Sequence, residues 1–354
     1  MLAFFVFISR DLTCIFHLKN HAINSFFIFA KPNETRMYSP PFEITNKILN
    51  LVAQINERVG ALTATLQQPF PTPMLRKENR IKTIQSSLAI ENNTLTIAQV
   101  TAIVEGKHVL GAPNEIQEVK NAIDAYNLLL QLDPYNQKDL LKAHKAMMAN
   151  LIDQAGQFRG GGVGVFDATH CIHLAPPASR VNELMNDLFE WVKHTNVHPL
   201  VSSSVFHYEI EFIHPFADGN GRMGRMWQTL LLAQWNPLFY WVPVETIVKE
   251  HQQEYYDAIN QCDNKGDSTL FIEFMLQCLS ESLQDLGTEK STEKSTEKLI
   301  RIIRENPDIT IAEMCKLVGL SDKGVRKNLD KLKQQGMLQR IGPAKGGHWK
   351  VNEA

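Results

Sequence analysis

His214-Pro-Phe-Ala-Asp-Gly-Asn-Gly-Arg-Met-Gly-Arg225 ends one helix, forms a loop and starts another. The helical pattern of Leu200–Ile213 runs into it, and Pro215 pushes the residue before it out of the α region, so the helix stops at His214. Phe216 suits a core anchor, Gly219-Asn-Gly221 supplies permissive backbone, and Met223–Trp235 restarts a helix. Such a loop delivers free backbone N–H groups to an anion at the helix N-terminus. Arg222 and Arg225 sit in that first turn, three residues apart, where the helix dipole is already positive. Two cations there need an anion between them, and a polyphosphate matches the guanidinium geometry. Asp218 would repel that polyphosphate unless a cation such as Mg²⁺ lies between them. His214, at the lip of the loop, is suited to take a proton from an attacking hydroxyl. These groups together describe attack on a nucleotide phosphate.

Outward from this loop the chain reads as mainly α. Helical spacing recurs from Ile44 through Ile55 and around Val119–Leu130, Leu140–Leu151, Val181–Trp191 and Leu270–Leu283. Between two of these helices, Arg159-Gly-Gly-Gly-Val-Gly-Val-Phe-Asp-Ala-Thr-His-Cys-Ile-His-Leu-Ala-Pro-Pro177 is glycine-rich, then alternating, then closed by prolines, which predicts a short β-hairpin flap.

The 214–225 segment matches H-x-F-x-[DE]-G-N-G-R-x-x-R at every fixed position, and by it the chain resembles the Fic family of protein AMP-transferases. The resemblance covers roughly residues 80–285 and includes Gly156-Gln-Phe-Arg159 and His207-Tyr-Glu-Ile-Glu-Phe-Ile213. It implies His214 as general base and Asp218 as the Mg²⁺ ligand. It implies that Gly219, Asn220 and Gly221 cradle phosphate, and that Arg222, Met223, Gly224 and Arg225 complete the nucleotide site. Val163, Gly164, Val165 and Phe166 then form the flap strand that aligns the target's hydroxyl-bearing segment, and Tyr256 and Asn264 match positions near the adenine. For Tyr256 a core aromatic on a helix is an equal alternative. The implied substrates are ATP with Mg²⁺ and a target protein, with self-modification as a side reaction.

Thr83-Ile-Gln-Ser-Ser-Leu-Ala-Ile-Glu-Asn-Asn93 reads as a helix ending at its asparagines, with Ser87 and Glu91 stacked one turn apart. A glutamate in the last turn opposes the helix dipole and is better tolerated beside an arginine. Fic proteins with an inhibitory helix carry [ST]-x-x-x-E-[GN], here Ser87 to Glu91 and Asn92. The resemblance implies that Glu91 occupies Arg225 and prevents the γ-phosphate from binding productively.

The 354 residues, 44% hydrophobic and 21% charged, are enough for two soluble domains, and the net charge of −2 gives no global attraction to nucleic acid or membrane. The five cysteines form no C-x-x-C pair, which signals neither zinc nor a disulfide framework and predicts a cytoplasmic setting. Residues 1–36 are rich in Phe and Ile, but Arg10, Asp11, His17, Lys19, Asn20 and His21 interrupt them, so neither a membrane helix nor a leader is expected. Met37 opens well-patterned sequence, and 1–36 read as a non-native or disordered extension, with a weak interfacial anchor as the rival. Thr288–Lys298 is a polar four-residue repeat and reads as a linker.

Beyond it, Ile311, Met314, Leu317 and Val318 make one apolar face, Gly319-Leu-Ser321 a turn, and Val325, Leu329 and Leu332 the inner face of a second helix. With strand-like runs at Met337–Ile341 and His348–Val351, residues 299–354 resemble a winged helix-turn-helix domain. Residues 290–354 carry 14 Lys and Arg against 8 Asp and Glu, and Lys323, Arg326, Lys327, Lys331 and Lys333 lie on or near the recognition helix. Docking to DNA or to a protein is expected there. The expected architecture is therefore an extension (1–36), a helical region with the inhibitory helix (37–125), a helical Fic-type core with a β-hairpin flap (126–285), a linker (286–298) and a small winged-helix domain (299–354). The runner-up function is a DNA-binding regulator whose core senses nucleotide; the sequence leaves open whether the chain works as a homodimer.

Overall fold

Leu200, Val201, Val205, Phe206, Ile210 and Ile213 are buried, as are Met223, Met226, Trp227, Leu230 and Leu231, so the two helices flanking the loop are buried on several faces and form the centre of the core. A computed structural model describes residues 5–6, 38–65, 73–162, 164–167, 170–343 and 347–352. The chain divides into two compact units, Met1–Ser282 and Leu283–Ala354.

In chain order the elements of the first unit begin with β1 (Phe5–Val6), α1 (Asn46–Thr65), α2 (Pro73–Ile90), α3 (Ile97–Val104), α4 (Pro113–Leu128) and α5 (Gln137–Met147). A flap of β2 (Gly164–Asp167) and β3 (His170–Leu174) precedes α6 (Ala178–His194), α7 (Pro199–Ile213), α8 (Asn220–Trp235), α9 (Val244–Glu250) and α10 (Gln252–Lys265). β2 pairs antiparallel with β3, with a register shift between Val165 and Phe166, and β1 pairs with the other edge of β2. α7 packs on α8, α6 on α7, and α2 on α9. Trp227 is fully buried on α8, and its indole N–H finds a partner in the Pro134 carbonyl at 3.0 Å. The Tyr38 hydroxyl donates to Glu209 on α7 at 2.9 Å; burial holds that carboxyl up at about 7.

α11 runs from Thr269 to Glu305, across the division between the units. The repeat Thr288–Lys298, read from sequence as a linker, thus lies inside a helix. Lacking an apolar stripe removes packing but not the backbone ladder, and Glu and Lys favour helix where no Gly or Pro follows Gly287. The second unit continues with α12 (Ile311–Val318), α13 (Asp322–Gln334) and a hairpin of β4 (Leu338–Ile341) and β5 (His348–Val351). Its core gathers Leu299, Ile303, Met314, Val325, Leu329, Leu332 and Trp349. Leu317, expected on the inner face of α12, is 54% exposed instead, because Met314 and the partly buried Ile311 and Val318 complete that face. Thr310 and Glu313 form a capping box at α12, and Gly319 closes the helix in the left-handed conformation. The fold is mainly α with a β-hairpin flap and a C-terminal winged helix, as the sequence predicts.

No helix among the described residues is long and apolar enough to cross a membrane. Of residues 1–36 only Phe5 and Val6 are described, so the reading of that segment as an extension lies largely outside the described residues.

Candidate active site

α7 ends at His214, whose backbone is left-handed (φ 51°, ψ 58°) and whose N–H still reaches the Ile210 carbonyl at 3.0 Å. Its Nδ1 lies 3.2 Å from the Glu211 carbonyl oxygen, which can only accept, so Nδ1 carries a proton and Nε2 is the nitrogen that can exchange one. Phe216 is fully buried and anchors the loop. Asn220 staples the loop to itself, accepting from the Phe216 N–H at 2.9 Å and donating to the Phe216 carbonyl at 3.0 Å. Its amide side chain therefore shapes the cradle rather than lining it. Gly219 caps α8 with φ 85°, which a side chain would strain, and no side chain caps the first turn of α8. The N–H groups there are left for a ligand.

Arg222 and Arg225 are nearly fully buried within this first turn and a half. Arg225 donates through Nη2 to Glu91 Oε1 at 2.7 Å and to the Ser87 carbonyl at 3.0 Å, and through Nε to Ser87 Oγ at 3.1 Å. Burial disfavours its charge, but Glu91, then Tyr255 and Glu211, more than offset this and hold its pKa above the ordinary value. Glu211 is held at about 2: burial pushes it up, but the His207 bond and the charges of His207, Arg225 and His214 outweigh it. Arg222 reaches Asp218 Oδ1 at 3.2 Å and lies 3.6 Å from Glu118 Oε1. Arg222 Nε and Nη1 and Arg225 Nη1 are buried with no hydrogen-bond partner. Three unsatisfied donors beside an uncapped helix N-terminus are chemically suited to an anion.

Asp218 is half exposed, and its Oδ1 accepts from Gly219 N–H at 2.6 Å. Met223, expected at the nucleotide, is fully buried in the core, and Gly224 leaves room for the His207 ring, which an added Cβ would meet at 2.5 Å. Asn92, which ends the turn after α2, has φ 70°. Tyr256 donates to the Ile90 carbonyl at 3.0 Å and so touches the end of α2. Asn264 is exposed and bonds back to Asn260 within α10; nothing described joins it to the loop. Gly164, Val165 and Phe166 lie on β2, and Val163 lies outside the described residues.

Two residues that position the loop escape a reading of sequence. Arg159 donates to the carbonyls of His214 (2.7 Å), Gly161 (2.7 Å) and Ile213 (3.3 Å), clamping the flap base to the end of α7. His144 on α5 stacks on Phe216 with ring centroids 3.7 Å apart. Its Nδ1 accepts from Gly156 N–H at 2.9 Å and its Nε2 donates to the Asp218 carbonyl at 3.0 Å. A conformational lock of this kind has no motif; only its helical register could have shown that it faces inward. Burial pulls the His144 pKa down to about 4. The unfolded chain therefore binds the extra proton first, and this contribution to stability is complete above about 6.5 and lost as the pH falls toward 4. The loss should be of the order of 3 kcal/mol. Denaturant titrations of the parent and His144→Gln from pH 7 to 4 should show the steeper fall in the parent; parallel curves would refute the coupling.

The model of the Fic/DOC family matches residues 134–232, and that of winged helix-turn-helix DNA-binding domains matches residues 293–339. A crystal structure of a Fic family protein from Desulfovibrio desulfuricans is 44% identical and superposes with a TM-score of 0.70, covering 90% of this chain and 99% of that one. The chain belongs to the Fic family. Proteins named protein adenylyltransferase Fic are 28% identical over 241 residues in Aedes aegypti and 27% over 290 in Nematostella vectensis. The chain spans 46% and 64% of those relatives' own lengths. In this Fic protein the loop between α7 and α8 falls inside the matched segment; Ser87 and Glu91, which meet Arg225, lie before it.

Proposed function

We propose that the chain transfers AMP from Mg-ATP to a Ser, Thr or Tyr hydroxyl of a target protein, and that Glu91 restrains it. One observation carries this reading: buried, unsatisfied donors on Arg222 and Arg225 stand at the uncapped start of α8, on the same short loop as His214. The N–H groups of the loop and both guanidiniums would hold the phosphates. His214 Nε2 takes the proton of the target hydroxyl, the oxygen bonds to the α-phosphorus, and the bond to the β-phosphate breaks to release pyrophosphate. Asp218 offers one half-exposed carboxylate. That suits Mg²⁺, which binds through one carboxylate together with substrate phosphates and neutralises charge on them. β2 would align the target segment by strand addition only along the edge that β1 now occupies, so β1 would have to give way to the target strand. The buried thiols of Cys262 and Cys278 fit the reducing cytoplasm.

ATP labelled at the α-phosphate should mark a target protein or the chain itself, whereas γ-label should not. Asp218→Ala should lose both this labelling and the Mg²⁺-dependent part of ATP binding, read by calorimetry with and without the metal. Equal binding in the two conditions for the parent would refute the metal role.

A second reading rests on the winged helix. Lys323 and Lys327 on α13 are exposed and Lys331 is half-buried, which leaves basic side chains on the helix for a DNA groove. If ATP binds but no label is transferred, a DNA-binding regulator with a nucleotide-sensing core becomes the better description.

A further inference from the structure

Arg225 is met by Glu91 from the end of α2, and Arg222 by Glu118 from α4. The two contacts are joined. Two residues after Glu91, Asn93 Nδ2 donates to Glu118 Oε2 at 2.7 Å and to the Glu115 carbonyl at 3.2 Å. Asn93 is itself fixed: its N–H reaches the Leu88 carbonyl at 3.1 Å, and its Oδ1 accepts from Leu95 N–H at 3.1 Å. Thr94 adds N–H and hydroxyl bonds to the Glu115 carboxylate, at 2.7 and 3.2 Å. The turn that carries Glu91 is thereby bolted to α4, and the bolt holds one oxygen of Glu118 while the other faces Arg222.

Glu118 makes no hydrogen bond to Arg222; the 3.6 Å separation leaves Nη1 unsatisfied. Its effect on Arg222 is therefore electrostatic rather than a positioning bond. Arg222 is 4% exposed and Glu118 24%, so water screens their attraction only in part. Asp218 already supplies Arg222 with one carboxylate at 3.2 Å. A second anion on the same guanidinium lowers the positive potential that an incoming phosphate would meet.

We infer that Glu118 is a second inhibitory carboxylate, which weakens the grip of Arg222 on nucleotide phosphate, and that Asn93 couples it to the turn bearing Glu91. This rests on the nucleotide site proposed above. Release of Glu91 alone would then leave the phosphate site partly neutralised, and full affinity would require both carboxylates to withdraw.

The test is calorimetric titration of ATP with magnesium, and separately of adenosine, in the full chain carrying Glu91→Gly. Adding Glu118→Gln removes the charge and keeps an oxygen for Asn93. It should tighten ATP by about threefold to tenfold and leave adenosine unchanged, because adenosine has no phosphate for Arg222 to hold. Asn93→Ser, which cuts the tether and leaves the charge, should move ATP in the same direction by less. A general loosening of the fold would shift ATP and adenosine together, and that result overturns the proposal. So does unchanged or weaker ATP binding in both folded variants. If the Glu91→Gly chain itself binds no ATP, the nucleotide site falls, and this inference with it.

Discussion

His214→Ala is expected to lower AMP transfer by roughly 10²- to 10⁴-fold, the usual contribution of a positioned general base. Binding of Mg-ATP should stay nearly intact, because on the proposed reading the imidazole acts on the attacking hydroxyl, while the loop N–H groups and the arginines hold the phosphates. The tautomer sharpens this expectation. With Nδ1 committed to the Glu211 carbonyl at 3.2 Å, Nε2 is the only nitrogen left to accept a proton. Alanine leaves in place the bonds by which Arg159 grips the His214 backbone carbonyl and Asn220 fixes the loop at Phe216. Label transfer from α-labelled ATP, paired with calorimetric ATP affinity, separates the two effects. Undiminished transfer would remove His214 from its role.

Glu91→Gly is expected to raise transfer by about tenfold to a hundredfold, visible first as self-modification. A hydrogen bond to a charged group is worth about 1.5–3 kcal/mol, and each 1.36 kcal/mol is tenfold in rate. The Glu91 side chain is 35% exposed, so part of that value is lost to solvent and the lower half of the range is favoured. The gain depends on the partner. Without Glu91, Arg225 keeps its bonds to Ser87 but frees the Nη2 donor that faced the carboxylate, which can then take a γ-phosphate. Replacing Arg225 in the Glu91→Gly chain should abolish the gain. If Glu91→Gly is no more active than the parent with ATP and magnesium, α2 is a structural helix only.

The sequence revealed most about the site where chemistry and local backbone coincide. His214, Asp218, Gly219 and the two arginines sit within twelve residues, so the roles proposed for them rest on local loop geometry rather than on the tertiary fold. α7 and α8 were equally legible, because Pro215 and the glycines punctuate strong apolar patterns. Contacts made across long separations were not. His144 and Asp218 are 74 residues apart, and Asn93 and Glu118 are 25 apart; neither pair has a spacing that marks it. Met223 and Asn220 lie inside the motif, yet their side chains serve the core and the loop, a distinction that depends on helix rotation. The Thr288–Lys298 repeat shows how little polarity says about backbone conformation. Its polarity predicted separation from a core, but polarity does not oppose helix, and the chain there is part of α11.

Gly221 adds a constraint of volume. A Cβ built on it would sit 2.5 Å from Glu91 Oε1, 2.9 Å from Arg225 Nη1 and 3.3 Å from Glu211 Oε1. A space the size of one methyl group is thus shared by the restraint and by the backbone that a phosphate would approach. Filling it expels the carboxylate and also closes the phosphate's route to the helix start. A side chain at Gly221 is therefore expected to displace Glu91 and crowd the proposed phosphate site together. On the proposed reading, substitutions in α2 and the turn behind it, or at Glu118 of α4, reach the restraint without filling this space, so the two walls differ in the direction in which they can be altered.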